Sequence, residues 1–244
     1  STTDAAQFRD HLLDRGLVSS TVKRVFAIIR AIINLSIQEY GLSCKNAFAK
    51  TYIPDLEDSI KRQPIPIDLI RDIQKECMKI NDPNRWLIAL ISDTGMRLSE
   101  ALGLKVSDIK LNEEIPYINI TPNSARRLKT KSSERQIPLI GSSLWAAKQL
   151  CLNIKGEFAF PHYTIKDYCH TNSASAALNK WLKLRVPQHC VVHSFRHSMR
   201  DRLRAINCPS EMIDQIGGWS SSKIGEAYGS GYNLNDKYFN MVKL

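Results

Sequence analysis

Apolar residues recur at spacings of three and four through most of this 244-residue chain, and one region interrupts this helical period. Segments such as "TVKRVFAIIRAIINLSIQEYG" and "SSLWAAKQLCLNI" carry the helical period, whereas "YINIT", "RQIPL" and "FAFP" are short strand candidates. Helical segments lie on both sides of these candidates along the chain. The pattern therefore predicts a mainly α fold with a small β-sheet.

Three prolines, Pro54, Pro64 and Pro66, bracket a charged stretch, "TYIPDLEDSIKRQPIP", that follows two predicted helices. Proline interruption and polarity are typical of linkers. We therefore predict an N-terminal unit of residues 1–58 and a larger domain of residues 59–244. Two helices bury little surface alone, so we expect the first unit to pack on DNA, on its neighbour or on further helices. The first residue is Ser rather than Met, which also suggests a native N-terminus further upstream.

The formal net charge is +10 and the pI is about 9.4, which favours a polyanionic partner, most often nucleic acid. No apolar run approaches the roughly 18 residues that span a bilayer, and no signal peptide is visible. Six widely spaced cysteines without a CxxC pair are typical of reduced thiols. We expect a cytoplasmic protein without a metal site.

The stretch "HSFRHSMRDRLRAINC" places basic residues on one helix face and apolar residues on the opposite face. The basic set is His193, Arg196, His197 and Arg200, whereas Arg202 and Arg204 on the same helix are interpreted as ordinary surface charge. A solvated basic face explains this pattern as well as a phosphate site does. The phosphate hypothesis rests on the planar donors of arginine and on the proton transfer that histidine supports near neutral pH.

Two further segments contain candidate residues for chemistry. In "DTGMRLSEALGL", Arg97 directly follows a glycine turn and Glu100 lies one helical turn on, so the pair is either part of an anion site or an ordinary surface ion pair. In "IGGWSSSKIGEAYGSGY", Tyr228 lies beside glycines and follows Trp219. A tyrosine hydroxyl needs cationic or hydrogen-bonding neighbours to act as a nucleophile.

The three segments "TGMRLSEALGL", "HSFRH" and "IGGW", with Tyr228 nine residues after Trp219, resemble the active-site boxes of the tyrosine recombinases, also called phage integrases. The resemblance covers about residues 65–240 in the expected order. It implies an α+β catalytic domain, mainly helical, with a small antiparallel sheet. It also implies that residues 1–58 are part of the helical core-binding domain, which clamps DNA.

The resemblance further implies roles for individual residues. Arg97 and Arg196 would bind the scissile phosphate, and His193 would assist proton transfer at the attacking hydroxyl. Tyr228 would form a 3′-phosphotyrosyl link, so that neither a metal nor another cofactor is needed. Glu100 would hold Arg97 or a neighbour in place, and His197 would support the site.

The family also uses a hairpin lysine as the general acid for the departing 5′-oxygen. Lys129 in "RRLKTKSSERQIPL" matches the usual Lys-Thr pattern best, and Lys131 is the alternative. With Lys129 as the acid, the other basic residues near these boxes are predicted to contact DNA. They are Arg126, Arg127, Lys131, Arg135 and Arg200.

This chain departs from most of the family by having Trp219 where histidine is usual. The indole N–H can donate a hydrogen bond to a phosphate oxygen, but it cannot transfer a proton. Tyr232 is the alternative nucleophile, although its spacing from Trp219 favours Tyr228.

The resemblance predicts a site-specific recombinase or integrase encoded by a phage or mobile element and acting at the bacterial nucleoid. Its partners would be a double-stranded recombination site and accessory DNA-bending factors. We expect a homotetramer on DNA in which the C-terminal helix docks on a neighbouring subunit. The alternatives are a type IB topoisomerase-like strand transferase and a catalytically silent DNA-binding module.

Overall fold

A computed structural model describes residues 1–56, 58, 62–219 and 231–244. The chain divides into two compact units, Ser1–Lys61 and Arg62–Leu244. The predicted boundary after residue 58 is close to this division, and the DNA-clamping role of the first unit stays a prediction. No helix in the described ranges has the length and apolarity needed to cross a bilayer.

The first unit contains helices α1 (Thr2–Asp14) and α2 (Ser19–Glu39). Its small core has Leu12, Val22 and Phe26 as buried residues, and the Phe26 ring lies 5.9 Å from Phe8 and 5.4 Å from Phe48. On α2, Ile28, Ile32 and Leu35 are each more than half exposed. Within this unit the apolar residues of α2 are therefore only partly covered.

The second unit is mainly helical and holds the large core. Its helices are α3 (Ile67–Ile80), α4 (Pro83–Thr94), α5 (Leu98–Leu102), α6 (Gly141–Asn153), α7 (Thr171–Leu182), α8 (Ser194–Ala205), α9 (Ser210–Gly217) and α10 (Leu234–Met241). Its strands are β1 (Ile109–Lys110), β2 (Tyr117–Ile120), β3 (Arg135–Pro138), β4 (Thr164–Ile165) and β5 (Tyr168–Cys169).

Helix α4 is the centre of this unit, because every residue from Trp86 to Thr94 is buried. Asp82 caps its start by accepting a hydrogen bond from the Arg85 N–H at 2.9 Å, and Pro83 occupies the first turn. A helix that is buried on all sides has to be surrounded, and α3, α6 and α8 pack around it.

The mainly α fold with a small antiparallel sheet is confirmed. Strands β1, β2 and β3 form one antiparallel sheet in sequential order, and buried Ile118 pairs with both Ile109 and Ile137. The predicted strands "YINIT" and "RQIPL" are β2 and β3. The predicted strand "FAFP" is wrong, because Phe158 makes only an isolated bridge with Lys105. The short hairpin of β4 and β5 was not predicted, since two-residue strands leave no alternating pattern.

The C-terminal helix α10 packs on the second unit of its own chain, where Met241 is fully buried and α10 contacts β3. The expectation that this helix docks on a neighbouring subunit stays a prediction. Phe239 and Val242 on the same helix remain exposed.

Helices α4 and α8 approach closely at Gly95, which follows α4 with φ +61°. An ideal Cβ at this position would lie 2.8 Å from Cγ of Met199 on α8, which is closer than van der Waals contact. Any other residue would both strain the backbone and push the two helices apart.

We expect Gly95→Ala to lower the free energy of unfolding by about 2–4 kcal/mol, because a positive φ and an overpacked contact each add strain. Urea denaturation of the whole chain measures it. Gly156→Ala is the control, since a Cβ there meets no atom within 4 Å. Equal midpoints for the two variants would contradict a tight α4–α8 contact.

Candidate active site

Arg196 lies on the first turn of α8, and its residue surface is only 3% exposed. Its Nη1 donates a hydrogen bond of 2.8 Å to the carbonyl of Gly95, at the end of α4. Its Nη2 is buried and has no hydrogen-bond partner among the described residues. Burial, together with the charges of Arg97 and Arg135, lowers the pKa of Arg196 to about 9, so the guanidinium stays protonated at neutral pH. A buried cation with a free donor is a strong site for an anion.

Arg97 approaches the same site from the start of α5. Its Nη2 donates to the carbonyl of Gly218 at 3.2 Å, and its Nη1 donates to Glu100 and to the Ser133 hydroxyl. The side chain is 23% exposed. The guanidinium is thus fixed at several points while part of it stays open to solvent.

Glu100 holds two arginines together. The Glu100 carboxylate, 3% exposed, accepts a 2.8 Å bond from the backbone N–H of Arg97 and a 2.9 Å bond from Nη2 of Arg135. Burial raises the pKa of this carboxyl, but the charge and hydrogen bonds of Arg135 and the contacts with Arg97 lower it below its ordinary value. Glu100 is therefore ionised and compensates part of the positive charge of the site.

Arg135 is a structural residue, which contradicts the prediction that it contacts DNA. Its side chain is 3% exposed, and it also donates to the carbonyls of Ile216 and Ser133 at 2.8 and 2.7 Å. Its donors are engaged inside the protein, where they join β3 to the middle of α5 and to the last turn of α9. The alternation of the strand gave no signal for this role, because the partner carboxylate lies far away in sequence.

His193 is the residue that precedes α8, and its imidazole is half-buried. The ring lies 5.4 Å from that of His197, which is exposed. Burial, followed by the charges of Arg62 and His197, lowers the pKa of His193 to about 4. The imidazole is therefore neutral at neutral pH, and in this charge environment, without a bound anion, it is a weak base.

Trp219 follows α9, and its indole lies beneath two guanidiniums of α8. The charge centres of Arg196 and Arg200 are 4.3 and 4.9 Å from the ring centroid. An ideal Cβ at Gly217 would lie 1.7 Å from Cζ3 of Trp219, so glycine allows the indole to fold over the end of α9. Trp219 thus packs against Arg196, and its bond to a phosphate stays a prediction.

Arg200 has partners inside the protein, since its Nη2 donates to Asp214 at 3.0 Å in addition to the indole contact. The predicted contact of Arg200 with DNA stays a prediction.

Arg202, on the same helix, was interpreted as ordinary surface charge, and that interpretation is wrong. Its side chain is 11% exposed and donates to Asp93 and to the Ser92 carbonyl, both at 3.0 Å.

The connection between β2 and β3 carries the candidate lysines. Lys129 and Arg127 are exposed, as a general acid and a DNA contact require. The backbone of Lys131 begins the 3₁₀ turn Lys131–Ser133. The prediction that Arg126 contacts DNA is contradicted, because its side chain is 1% exposed and forms a 3.0 Å ion pair with Asp108.

Tyr228 lies outside the described residues. Tyr232 is half-buried against the main core, and its backbone N–H donates to the Gln215 side chain at 2.9 Å. The described residues therefore do not decide between the two tyrosines, and the preference for Tyr228 rests on its spacing from Trp219 in the sequence.

The sequence profile of the phage integrase family matches residues 67–232. The chain belongs to the phage integrase family. The tyrosine recombinase XerC of Psychromonas ingrahamii is 24% identical over 188 residues, which are 75% of this chain and 60% of that protein. A tyrosine recombinase of Agathobacter rectalis is 24% identical over 233 residues, which are 85% of this chain and 71% of that protein. The chain thus spans only 60% of the length of the XerC relative.

Two solved structures share the fold. One is the integrase of transposon Tn1549 in complex with circular intermediate DNA, with a TM-score of 0.65 and 18% identity over 99% of this chain and 84% of that chain. The other is a lambda integrase tetramer bound to a Holliday junction, with a TM-score of 0.67 and 14% identity over 93% of this chain and 64% of that chain. The predicted family and catalytic-domain fold are confirmed.

We expect Glu100→Gln to lower the free energy of unfolding by about 3–5 kcal/mol, because it leaves Arg97 and Arg135 without their buried counter-charge. Glu157→Gln is the control, since it removes an ion pair with Lys105 whose carboxylate is 63% exposed and which contributes at most about 1 kcal/mol. Urea denaturation of both variants measures the difference. A loss as small as that of the control would show that Glu100 compensates no buried charge.

The pKa of His193 predicts how stability depends on pH. The unfolded chain protonates this imidazole below its ordinary pKa of 6.5, whereas the folded chain protonates it only below about 4. The free energy of unfolding should therefore fall by up to about 3 kcal/mol from this group as the pH drops from 6.5 to 4. His193→Gln should flatten this part of the stability curve, and His11→Gln, in the first unit, should not. Parallel curves for wild type and His193→Gln would contradict the buried neutral imidazole.

Proposed function

We propose that this chain is a site-specific DNA recombinase or integrase that cuts and rejoins strands through a 3′-phosphotyrosyl intermediate. The observation that carries the proposal is the convergence of Arg97 and Arg196 beside one buried carboxylate, with Nη2 of Arg196 unpartnered within the part of the chain that the structure describes. Membership of the phage integrase family and similarity to tyrosine recombinases support it.

In this proposal Arg97 and Arg196 bind the non-bridging oxygens of the scissile phosphate. Their charge-assisted hydrogen bonds stabilise the negative charge that grows on the pentavalent transition state. Both guanidiniums are already held by carbonyl groups of the protein, so little reorganisation is needed when the phosphate arrives. Trp219, packed on Arg196, restricts that side chain further.

The hydroxyl of Tyr228 attacks phosphorus, and the bond from phosphorus to the 5′-oxygen breaks. His193, neutral at neutral pH, takes the tyrosine proton, and Lys129 gives a proton to the departing 5′-oxygen. The product is a 3′-phosphotyrosyl link and a free 5′-hydroxyl. The 5′-hydroxyl of a partner strand then attacks this link and releases Tyr228, so one phosphodiester replaces another without ATP.

Double-stranded DNA is the proposed substrate and a homotetramer on DNA the proposed assembly. The net charge of +10, the DNA complex of the Tn1549 integrase and the tetramer of lambda integrase on a Holliday junction support this proposal. Exposed Arg127 is proposed to contact the DNA backbone, and residues 1–58 are proposed to clamp the duplex. A subunit contact through α10, accessory bending factors and a location at the bacterial nucleoid stay predictions.

Covalent capture tests the proposal and locates the target site. The whole chain, carrying an affinity tag, is incubated with fragmented genomic DNA of the source organism and denatured with detergent. Tagged protein with DNA attached is then isolated and the junctions are sequenced. We expect adducts at one short sequence. Sequence-specific binding without adducts would support a silent DNA-binding module, and plasmid relaxation without recombination would support a topoisomerase-like enzyme.

We expect Tyr228→Phe to abolish adducts on the duplex identified in this way, because it removes the hydroxyl that forms the link. Tyr232→Phe is the matched control and should keep most of the wild-type adduct yield. Denaturing gel electrophoresis of labelled duplex measures both. Adducts that persist in Tyr228→Phe and disappear in Tyr232→Phe would assign the nucleophile to Tyr232.

A further inference from the structure

The connection between β2 and β3, residues 121–134, is held at both ends while Lys129 between them is exposed. At its start, the Asn123 side chain donates to the Gly103 carbonyl at 2.9 Å and accepts the backbone N–H of Arg126 at 2.8 Å. At its far end, the Ser133 hydroxyl accepts a 3.2 Å bond from Arg97. The exposed lysine is thus carried between two fixed points.

Arg126 is the main fixed point at the start of this connection. Its Nε donates to the Thr121 carbonyl at 2.8 Å, and its Nη2 donates to Asp108 at 3.0 Å. Asp108 ends a 3₁₀ turn, Val106–Asp108, and the same carboxylate oxygen accepts the backbone N–H of Lys105 at 3.0 Å. The ion pair therefore ties the start of the connection to the segment that follows α5.

Stability alone does not explain this buried pair. Nη1 of Arg126 has no hydrogen-bond partner among the described residues, so burial of the guanidinium is only partly compensated. An apolar pair of similar volume is often as stable as a buried ion pair, so a buried ion pair can serve instead to specify one register of the backbone. The backbone register of this connection matters because it sets the position of Lys129, which lies three residues after Arg126.

Chain length limits how far Lys129 can lie from each fixed point. Three residues reach at most about 11 Å from Arg126, and four residues reach at most about 14 Å from Ser133. If Arg126 is released, this limit is lost: the nearest polar anchors are then Asn123 and Ser133, and between them only the partly buried Leu128 still packs on the core. The ammonium of Lys129 would then sample a much larger volume, while Arg97, Arg196 and His193 would keep their own contacts.

We propose that Arg126 and Asp108 are positioning residues for proton donation by Lys129 to the departing 5′-oxygen, an inference that rests on the proposed function. Neither residue touches the DNA in this proposal. Their loss slows the step in which the 5′-oxygen needs a proton, and it leaves phosphate binding and tyrosine attack unchanged.

A pair of DNA substrates separates this role from a general structural one. Both are nicked suicide duplexes of the captured target sequence, and they differ only in the bridging atom of the scissile phosphate, which is 5′-oxygen in one and 5′-sulfur in the other. A thiolate leaves without a proton, so the sulfur duplex needs no general acid. The measured quantity is the rate of covalent adduct formation by the whole chain.

We expect Arg126→Lys and Asp108→Asn each to slow adduct formation on the oxygen duplex about tenfold or more, because a misplaced catalytic group loses a large part of its rate contribution. On the sulfur duplex their rates should stay within about twofold of wild type. Lys129→Ala should show the same split with a larger loss. Arg185→Lys is the matched control, since it removes a two-bond pair with Glu76, at 2.7 and 2.6 Å, elsewhere in the unit, and it should leave both rates unchanged.

Equal losses on the two duplexes would overturn the proposal and assign the pair a structural role, and unchanged rates on both would overturn it as well. These outcomes leave the proposed function intact, because wild type still forms adducts. Failure of wild type to form adducts on either duplex would instead contradict the proposed function and the inference with it. Thermal melting of each variant checks that it is folded in the assay.

Discussion

The hydrogen bond from Arg196 to the carbonyl of Gly95 is the contact on which the rest of the site depends. It joins α8 to the end of the central helix α4, two residues before Arg97. Arg202 makes a second contact between the same helices through Asp93, so α8 is bound to α4 at two points along its length. The absence of a side chain at Gly95 lets the helices come this close. The spacing of Arg97 and Arg196 therefore follows from the packing of α8 against α4.

The site concentrates positive charge where the protein can compensate only part of it. Arg97 and Arg135 lie close enough to Arg196 to lower its pKa together with burial, and the carboxylate of Glu100 partly offsets the three positive charges. A buried excess of positive charge opposes folding and favours an anion. Such a local conflict between stability and charge is expected where a protein binds a charged ligand.

The two segments beside the α4–α8 contact, residues 121–134 and Trp219, are fixed by different interactions. Residues 121–134, between β2 and β3, are fixed by Arg126 at one end and by Ser133 at the other. Trp219, at the end of α9, is fixed by its contact with the guanidinium of Arg196. Arg97 contacts both regions, since it donates to Ser133 and to the carbonyl of Gly218. A displacement of Arg97 would therefore affect both the connection between β2 and β3 and the end of α9.

The sequence by itself determined the helical fold, the position of the main strands and the segments that contain Arg97, His193 and Arg196, because helical periodicity and short motifs are local properties. It did not distinguish among the arginines. Arg126, Arg135 and Arg202 were expected on the surface, yet each binds a carboxylate in the interior. Only the tertiary structure decided this, because their partners Asp108, Glu100 and Asp93 lie in other elements, and a guanidinium that binds phosphate has the same local sequence as one that binds a buried carboxylate.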